Sequence, residues 1–226
     1  GKSFRMKEHI DRLYRSLKYV RIDPGLSAEE MLDISEETIR RNDQFLAEAG
    51  DFNFSQFVTR GPGRFGFIES AGPPTVCVRV GPCDFGRHAR HYKDGARGVI
   101  TRTRSYSADT LDPKIKHYSR MHFNLAELEA ADVDPGAWPI LTDTAGNLTE
   151  GVGYNVFLVT GGVIRTPGDS SILQGVSRGM VFDLARQLNI RLVEEDLQPY
   201  DMYTADEAFF ASTTPCVLPL TIVDKR

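Results

Sequence analysis

Two segments decide the fold: Leu148-Thr149-Glu150-Gly151-Val152-Gly153-Tyr154-Asn155 and, further on, Leu173-Gln174-Gly175-Val176-Ser177-Arg178. The first reads as a short strand broken by two glycines spaced two apart. Such spacing suits a backbone that takes unusual angles or lets something flat come close, and it sets one carboxylate, Glu150, at the bend. Taken alone, it equally suits a β-bulge with a surface glutamate. The second segment reads as a helix start. Gly175 permits a tight approach, and the free N–H groups of Val176 and Ser177, with the Ser177 hydroxyl, form an anion cradle. Taken alone, it equally suits an ordinary capped helix.

Outward from these segments, strand patterns cover 155–159 and 163–165, joined by Gly161-Gly162, a two-residue hairpin turn. A helix is expected over 175–188, then strands over 191–193, 207–211 and 217–222. Upstream lie a strand over 98–103, a helix over 116–131 with Met121, Leu125 and Leu128 facing inward, a strand over 139–142 and the turn Asp143-Thr144-Ala145-Gly146-Asn147. Near the start, Ile10, Leu13, Tyr14, Leu17 and Tyr19 recur at helical spacing. Ser27-Ala28-Glu29-Glu30 is a capping-box pattern that opens a second helix running through Met31, Ile34, Ile39, Phe45 and Leu46 towards Gly50. Strands follow over 52–58 and 75–80, with Phe65 and Phe67 beyond the turn at Thr59-Arg60-Gly61-Pro62-Gly63. Helices and strands alternate irregularly, so the fold class is α+β rather than a doubly wound sheet. The polar stretch rich in His, Arg and Gly separates a small N-terminal α/β domain over 1–83 from a larger C-terminal domain over 96–226, with a linker over 84–95.

The chain has 226 residues, with 27 Lys+Arg against 31 Asp+Glu and a formal net charge of −4. That balance argues against a nucleic-acid partner, which needs clustered cations. No apolar run approaches the roughly 20 residues that span a bilayer, so no membrane partner is expected. No cationic start leads into an apolar stretch, so no signal peptide is visible. Cys77, Cys83 and Cys216 are few, odd in number and widely spaced; with the five histidines they form no metal cage. They read as thiols of a reducing cytoplasm.

Together with Asp112-Pro113-Lys114-Ile115-Lys116-His117, the two segments resemble the class IV (fold type IV) pyridoxal-phosphate aminotransferases, and branched-chain aminotransferases in particular. The resemblance runs from about Phe4 to the end of the chain. It implies a two-domain fold, a small α/β domain beside a larger domain with a barrel-like mixed sheet, and pyridoxal 5′-phosphate as cofactor. It also implies an amino donor and a 2-oxo acid acceptor in ping-pong transamination, and a homodimer. Lys116 matches the family's Schiff-base lysine through Asp-Pro-x-x-Lys, with Lys114 the competing candidate. Glu150 matches the carboxylate that pairs with the cofactor's pyridine nitrogen, and Asn155 supports that loop. Val176 and Ser177 match the phosphate-binding helix start. Thr214, with Thr213 beside it, matches a phosphate-binding threonine. Arg12, in His9-Ile10-Asp11-Arg12-Leu13, matches an arginine that grips the same phosphate, which a guanidinium can bond through two N–H groups.

Two departures stand out. Branched-chain members commonly carry a tyrosine five residues after the lysine, where this chain has Met121 after Arg120. Carboxylate recognition falls on the hairpin, where Arg64 is the candidate and Arg60 and Arg64 equally suit plain hairpin charges. His88 and His91 read as linker surface, and His117 receives no role. The alternatives are an aminodeoxychorismate lyase-type elimination, a D-amino acid or R-selective amine transaminase, and a non-catalytic module that binds pyridoxal phosphate or a phosphate ligand. Gly61-Pro62-Gly63 and Gly151-Val152-Gly153 lack the strand–helix context of nucleotide loops. Members of the family carry strands before the His-x-x-Arg-Leu helix and a helix after the last strand, so both ends of the chain are expected to be missing here.

Overall fold

The computed structural model describes residues 3–63 and 72–226. Arg64, Phe65 and Phe67, named above, lie outside them. The chain divides into two compact units, Gly1–Asp84 and Phe85–Arg226.

In the first unit, helices α1 (Met6–Tyr19) and α2 (Ala28–Asn42) pack on the antiparallel pair β1 (Phe52–Thr59) and β2 (Thr75–Pro82). The capping box forms as the sequence dictates. Ser27 Oγ accepts from the Glu30 N–H at 3.1 Å, and Glu30 accepts from the Ser27 N–H at 2.7 Å. Met6, Ile10 and Met31 are the buried centre, covered by Phe54, Val58, Val76 and Val78 from the sheet. The second helix stops at Asn42, short of the extent expected, and a 3₁₀ turn and the short α3 (Leu46–Ala49) complete the path to Gly50. Arg60 donates to the carbonyls of Val20 and Arg21, so it ties the hairpin to the end of α1.

In the second unit, the stretch expected as a linker contains a 3₁₀ turn and helix α4 (Ala89–Asp94). His88 and His91 are half-buried there. Both rings set their edges against Trp138, with centroids 6.0 and 5.6 Å away.

A seven-stranded mixed sheet follows. Its strands are β3 (Ala96–Arg104), β4 (Trp138–Thr142), β5 (Asn155–Thr160), β6 (Val163–Pro167), β7 (Leu192–Glu195), β8 (Glu207–Ser212) and β9 (Cys216–Val223). Their order is β4-β3-β9-β8-β5-β6-β7. The parallel pairs β3/β4, β3/β9 and β6/β7 flank an antiparallel centre. The two outer strands are joined through the segment 148–150. Leu148 N–H donates to Leu197 O just beyond β7, while Thr149 and Glu150 exchange backbone bonds with Leu141 on β4. The sheet is thereby barrel-like, and Glu150 sits in its closing seam. The core is a layer of Ile140, Leu148, Val156, Leu158, Phe210 and Leu218, all at most 1% exposed.

Helix α5 (Met121–Val133) starts five residues later than the pattern suggests, and it is turned the other way. Ala126 and Ala130 face the sheet, while Met121, Leu125 and Leu128 are 66, 50 and 65% exposed. Small residues let the helix lie close to β3 and β4, which pushes the large apolar ones outward. Helix α6 (Val176–Gln187) forms as expected, and the short α7 (Pro199–Thr204) was not visible in the pattern.

Candidate active site

Glu150 is 8% exposed, and both of its oxygens are engaged. Oε1 accepts from the Leu173 N–H at 3.1 Å and Oε2 from Asn155 Nδ2 at 3.3 Å. Asn155 Nδ2 also donates to Leu173 O at 3.1 Å. This buried amide, 4% exposed, therefore locks the carboxylate to the loop that leads into α6. The two glycines after Glu150 answer different needs: Gly153 takes a φ of 94°, which favours glycine, and Gly151 is set by crowding. A Cβ on Gly151 would lie 2.0 Å from the Tyr154 ring and 2.6 Å from Pro139 O. Tyr154 itself donates its hydroxyl to Pro139 O at 2.7 Å, and burial pushes its phenol well above its ordinary pKa. On the other side, Thr149 Oγ1 and Ser105 Oγ share a buried hydrogen bond of 2.6 Å.

The same amide shapes the start of α6. A Cβ on Gly175 would stand 2.2 Å from Asn155 Oδ1, so only glycine fits at this N-cap. No side chain caps the helix and no acidic residue stands in its first turn. The N–H groups of Val176 and Ser177 thus begin a helix whose positive end is uncompensated. Arg178 pins that end to the sheet, donating to Pro167 O at 3.0 Å and pairing with Glu194. The register pairs Asn155 with Ala211, so the turn carrying Thr213 and Thr214 leaves β8 at the same end of the sheet as Glu150. Ser212 Oγ donates to Gly153 O at 2.8 Å and draws the two loops together.

A pocket opens beside this seam, and Lys116, His117, Arg120, His122 and Phe123 line it together with Glu150, Leu173 and others. Lys116 lies in an irregular loop ahead of α5, anchored by buried Ile115. Lys114 does not line the pocket; its ammonium is 3.2 Å from Asp112 Oδ2. The two lysines are thus separated by geometry: one faces the cavity and the other has a carboxylate partner outside it. Met121 does not line the pocket either; the neighbouring His122 does. Burial lowers the pKa of His117, with Arg120 and Lys116 adding repulsion. Burial, with His117 and Arg120, lowers that of His122 to about 4.

The structure therefore gathers Lys116 and Glu150 around one pocket, with Asn155 bonded to Glu150 and set against Gly175, the residue before Val176 and Ser177. Arg12 stands in the first unit, on α1, 3.3 Å from His9 Nδ1. Arg64 lies outside the described residues. Sequence reasoning gave no role to Ser105, Tyr106, Arg120, His122 and Leu173, which line the pocket. Leu173 contributes through its backbone, which no side-chain pattern can signal. Among the described residues, no group of three or more His, Cys, Asp or Glu could hold a metal ion, and no helix is long and apolar enough to cross a membrane.

The family model described as amino-transferase class IV matches residues 1–223. A putative branched-chain-amino-acid aminotransferase of Methanocaldococcus jannaschii is 38% identical over 232 residues, covering 100% of this chain and 76% of the relative. The crystal structure of the Escherichia coli branched-chain amino acid aminotransferase aligns with a TM-score of 0.88 at 27% identity, over 98% of this chain and 72% of that one. The T.th. branched-chain amino acid aminotransferase complexed with N-(5′-phosphopyridoxyl)-L-glutamate aligns with a TM-score of 0.86 at 27% identity, over 99% and 71%.

Proposed function

This chain belongs to the class IV aminotransferase family, and on that premise we propose that it moves an amino group from a branched-chain-like amino acid to a 2-oxo acid in two half-reactions, with pyridoxal 5′-phosphate as cofactor. The observation that carries the proposal is that Lys116 and Glu150 line one pocket. The relative complexed with a phosphopyridoxyl amino acid supports the choice of cofactor.

The residues present suit that group. A primary amine, a buried carboxylate held by two N–H donors and an uncapped helix start make a donor set that a pyridine bearing an aldehyde and a phosphate can use. When bound, the cofactor supplies an aldehyde for amines to condense with and a ring that takes up the electron pair of the substrate's Cα. Lys116 holds the amine for that aldehyde and afterwards moves the proton from Cα. Glu150 keeps a proton on the pyridine nitrogen, because an adjacent anion favours the charged form. Asn155 and the Leu173 N–H fix the direction of that carboxylate. Val176, Ser177, Thr213 and Thr214 offer N–H and hydroxyl donors to phosphate oxygens, and the family resemblance alone assigns Arg12 a phosphate and Arg64 a substrate carboxylate.

A homodimer belongs to the same proposal. It is supported by the exposed apolar row of Tyr118, Met121, Leu125 and Leu128, which a second copy would cover. A cytoplasmic location is supported by three free cysteines. The test of function is a panel of amino donors assayed with 2-oxoglutarate and pyruvate. Amino transfer to a 2-oxo acid is the expected result. Product formed with no 2-oxo acid present would instead identify elimination.

A further inference from the structure

The pocket carries four basic side chains, Lys116, His117, Arg120 and His122, three of which the proposed chemistry leaves without a task. His122 is the most constrained of them. Its ring packs against Tyr106 and Phe123, with centroids 4.2 and 3.9 Å away, and the Arg120 guanidinium lies 4.8 Å from the Phe123 ring centroid. Nδ1 of His122 is sealed from water and takes no hydrogen bond. A buried N–H without a partner costs more than a bare lone pair, so the proton belongs on Nε2. Among the described residues nothing bonds Nε2. With its pKa lowered to about 4 by burial, the ring is neutral over the working range. The result is a fixed, uncharged N–H donor beside a guanidinium in a pocket that has Glu150 as its one carboxylate among the described lining residues.

We propose that His122 is a binding residue of this pocket, its Nε2–H donating to an anionic oxygen of the bound molecules, with Arg120 supplying the charge. This rests on the reading of the pocket as the cofactor and substrate site. An anionic oxygen has two sources there: the phenolic oxygen of the cofactor and the carboxylate of the amino donor. A neutral donor suits either, because it stabilises negative charge without an acid–base change of its own.

The test uses the full chain loaded with pyridoxal phosphate, together with the variants His122→Phe, which keeps the aromatic packing, and His122→Gln, which restores an N–H. Three quantities are measured: the dissociation constant of the cofactor, the pH titration of its visible absorbance, and the KM of the best donor. The loss of a hydrogen bond to a charged oxygen is worth about tenfold. If the oxygen is the cofactor's, His122→Phe weakens cofactor binding about tenfold and raises the pKa of the visible band. If it is the donor's carboxylate, KM rises about tenfold and the spectrum stays unchanged. In either case His122→Gln recovers part of the loss. A His122→Phe protein with all three quantities unchanged overturns the proposal. A parent chain that shows no visible band with pyridoxal phosphate overturns the reading of the pocket, and the proposal with it.

Discussion

Asn155 Nδ2 lies 3.3 Å from Glu150 Oε2, and the same amide presses its oxygen onto the backbone at Gly175. One buried side chain thus holds the carboxylate that would face the cofactor's ring and sets the start of the helix that would hold its phosphate. Replacing Asn155 with Ala should therefore weaken both. Leaving Glu150 and Leu173 O without their donor costs about 1–3 kcal/mol of stability. Cofactor affinity should fall by more than that of a variant at an exposed position of α6, as equilibrium dialysis will show.

Gly175→Ala brings a Cβ to within 2.2 Å of Asn155 Oδ1, in a place where the buried amide cannot withdraw. The expected cost is about 1–3 kcal/mol, seen as a lowered urea midpoint. The double variant with Asn155→Ala should lose less than the two single losses added together, because the second change removes the atom that clashes.

Glu150→Gln keeps the size of the side chain but turns an –NH2 towards Leu173 N–H or Asn155 Nδ2, both of which are donors. Turnover should drop at least tenfold while the cofactor still binds, since the phosphate contacts are elsewhere. Full turnover in this variant would remove Glu150 from the chemistry.

Stability should fall in acid, in part through His122. Burial, then His117 and Arg120, lowers its folded pKa from the ordinary 6.5 to about 4. Between these values the unfolded chain binds more protons than the folded one, so stability rises with pH across that window and is lost as pH falls from 6.5 towards 4. Urea midpoints measured at pH 7 and pH 5 should differ more for the parent than for His122→Gln, which has no proton to gain. Equal differences would contradict the assignment.

Much of this architecture is legible in the residues themselves. The capping box of Ser27 and Glu30, the strand pairs and the glycine-marked segments around Glu150 and Gly175 are local signals, and each forms where its chemistry directs. The approach to α5 is not local. The helix itself is tied to a distant strand: Glu129 on α5 accepts from the N–H groups of Arg102 and Thr103 on β3. The helix buries Ala126 and Ala130 because the sheet admits only small side chains there, so the period of its large residues points the wrong way. His88 and His91 owe their burial to Trp138, about 50 positions further along the chain, and no pattern around them announces it. His122 and Tyr106 likewise meet only because the loop folds back on α5.

The central claim is that Lys116 and not Lys114 carries the reacting amine, and it is tested most directly by the visible absorbance and turnover of two variants. Lys114 is paired with Asp112, whereas Lys116 lines the same pocket as Glu150. With pyridoxal phosphate added, Lys116→Ala should fold normally yet lose the visible band and turnover together, while Lys114→Ala keeps both. A Lys116→Ala protein that retains the band and its activity would contradict the account.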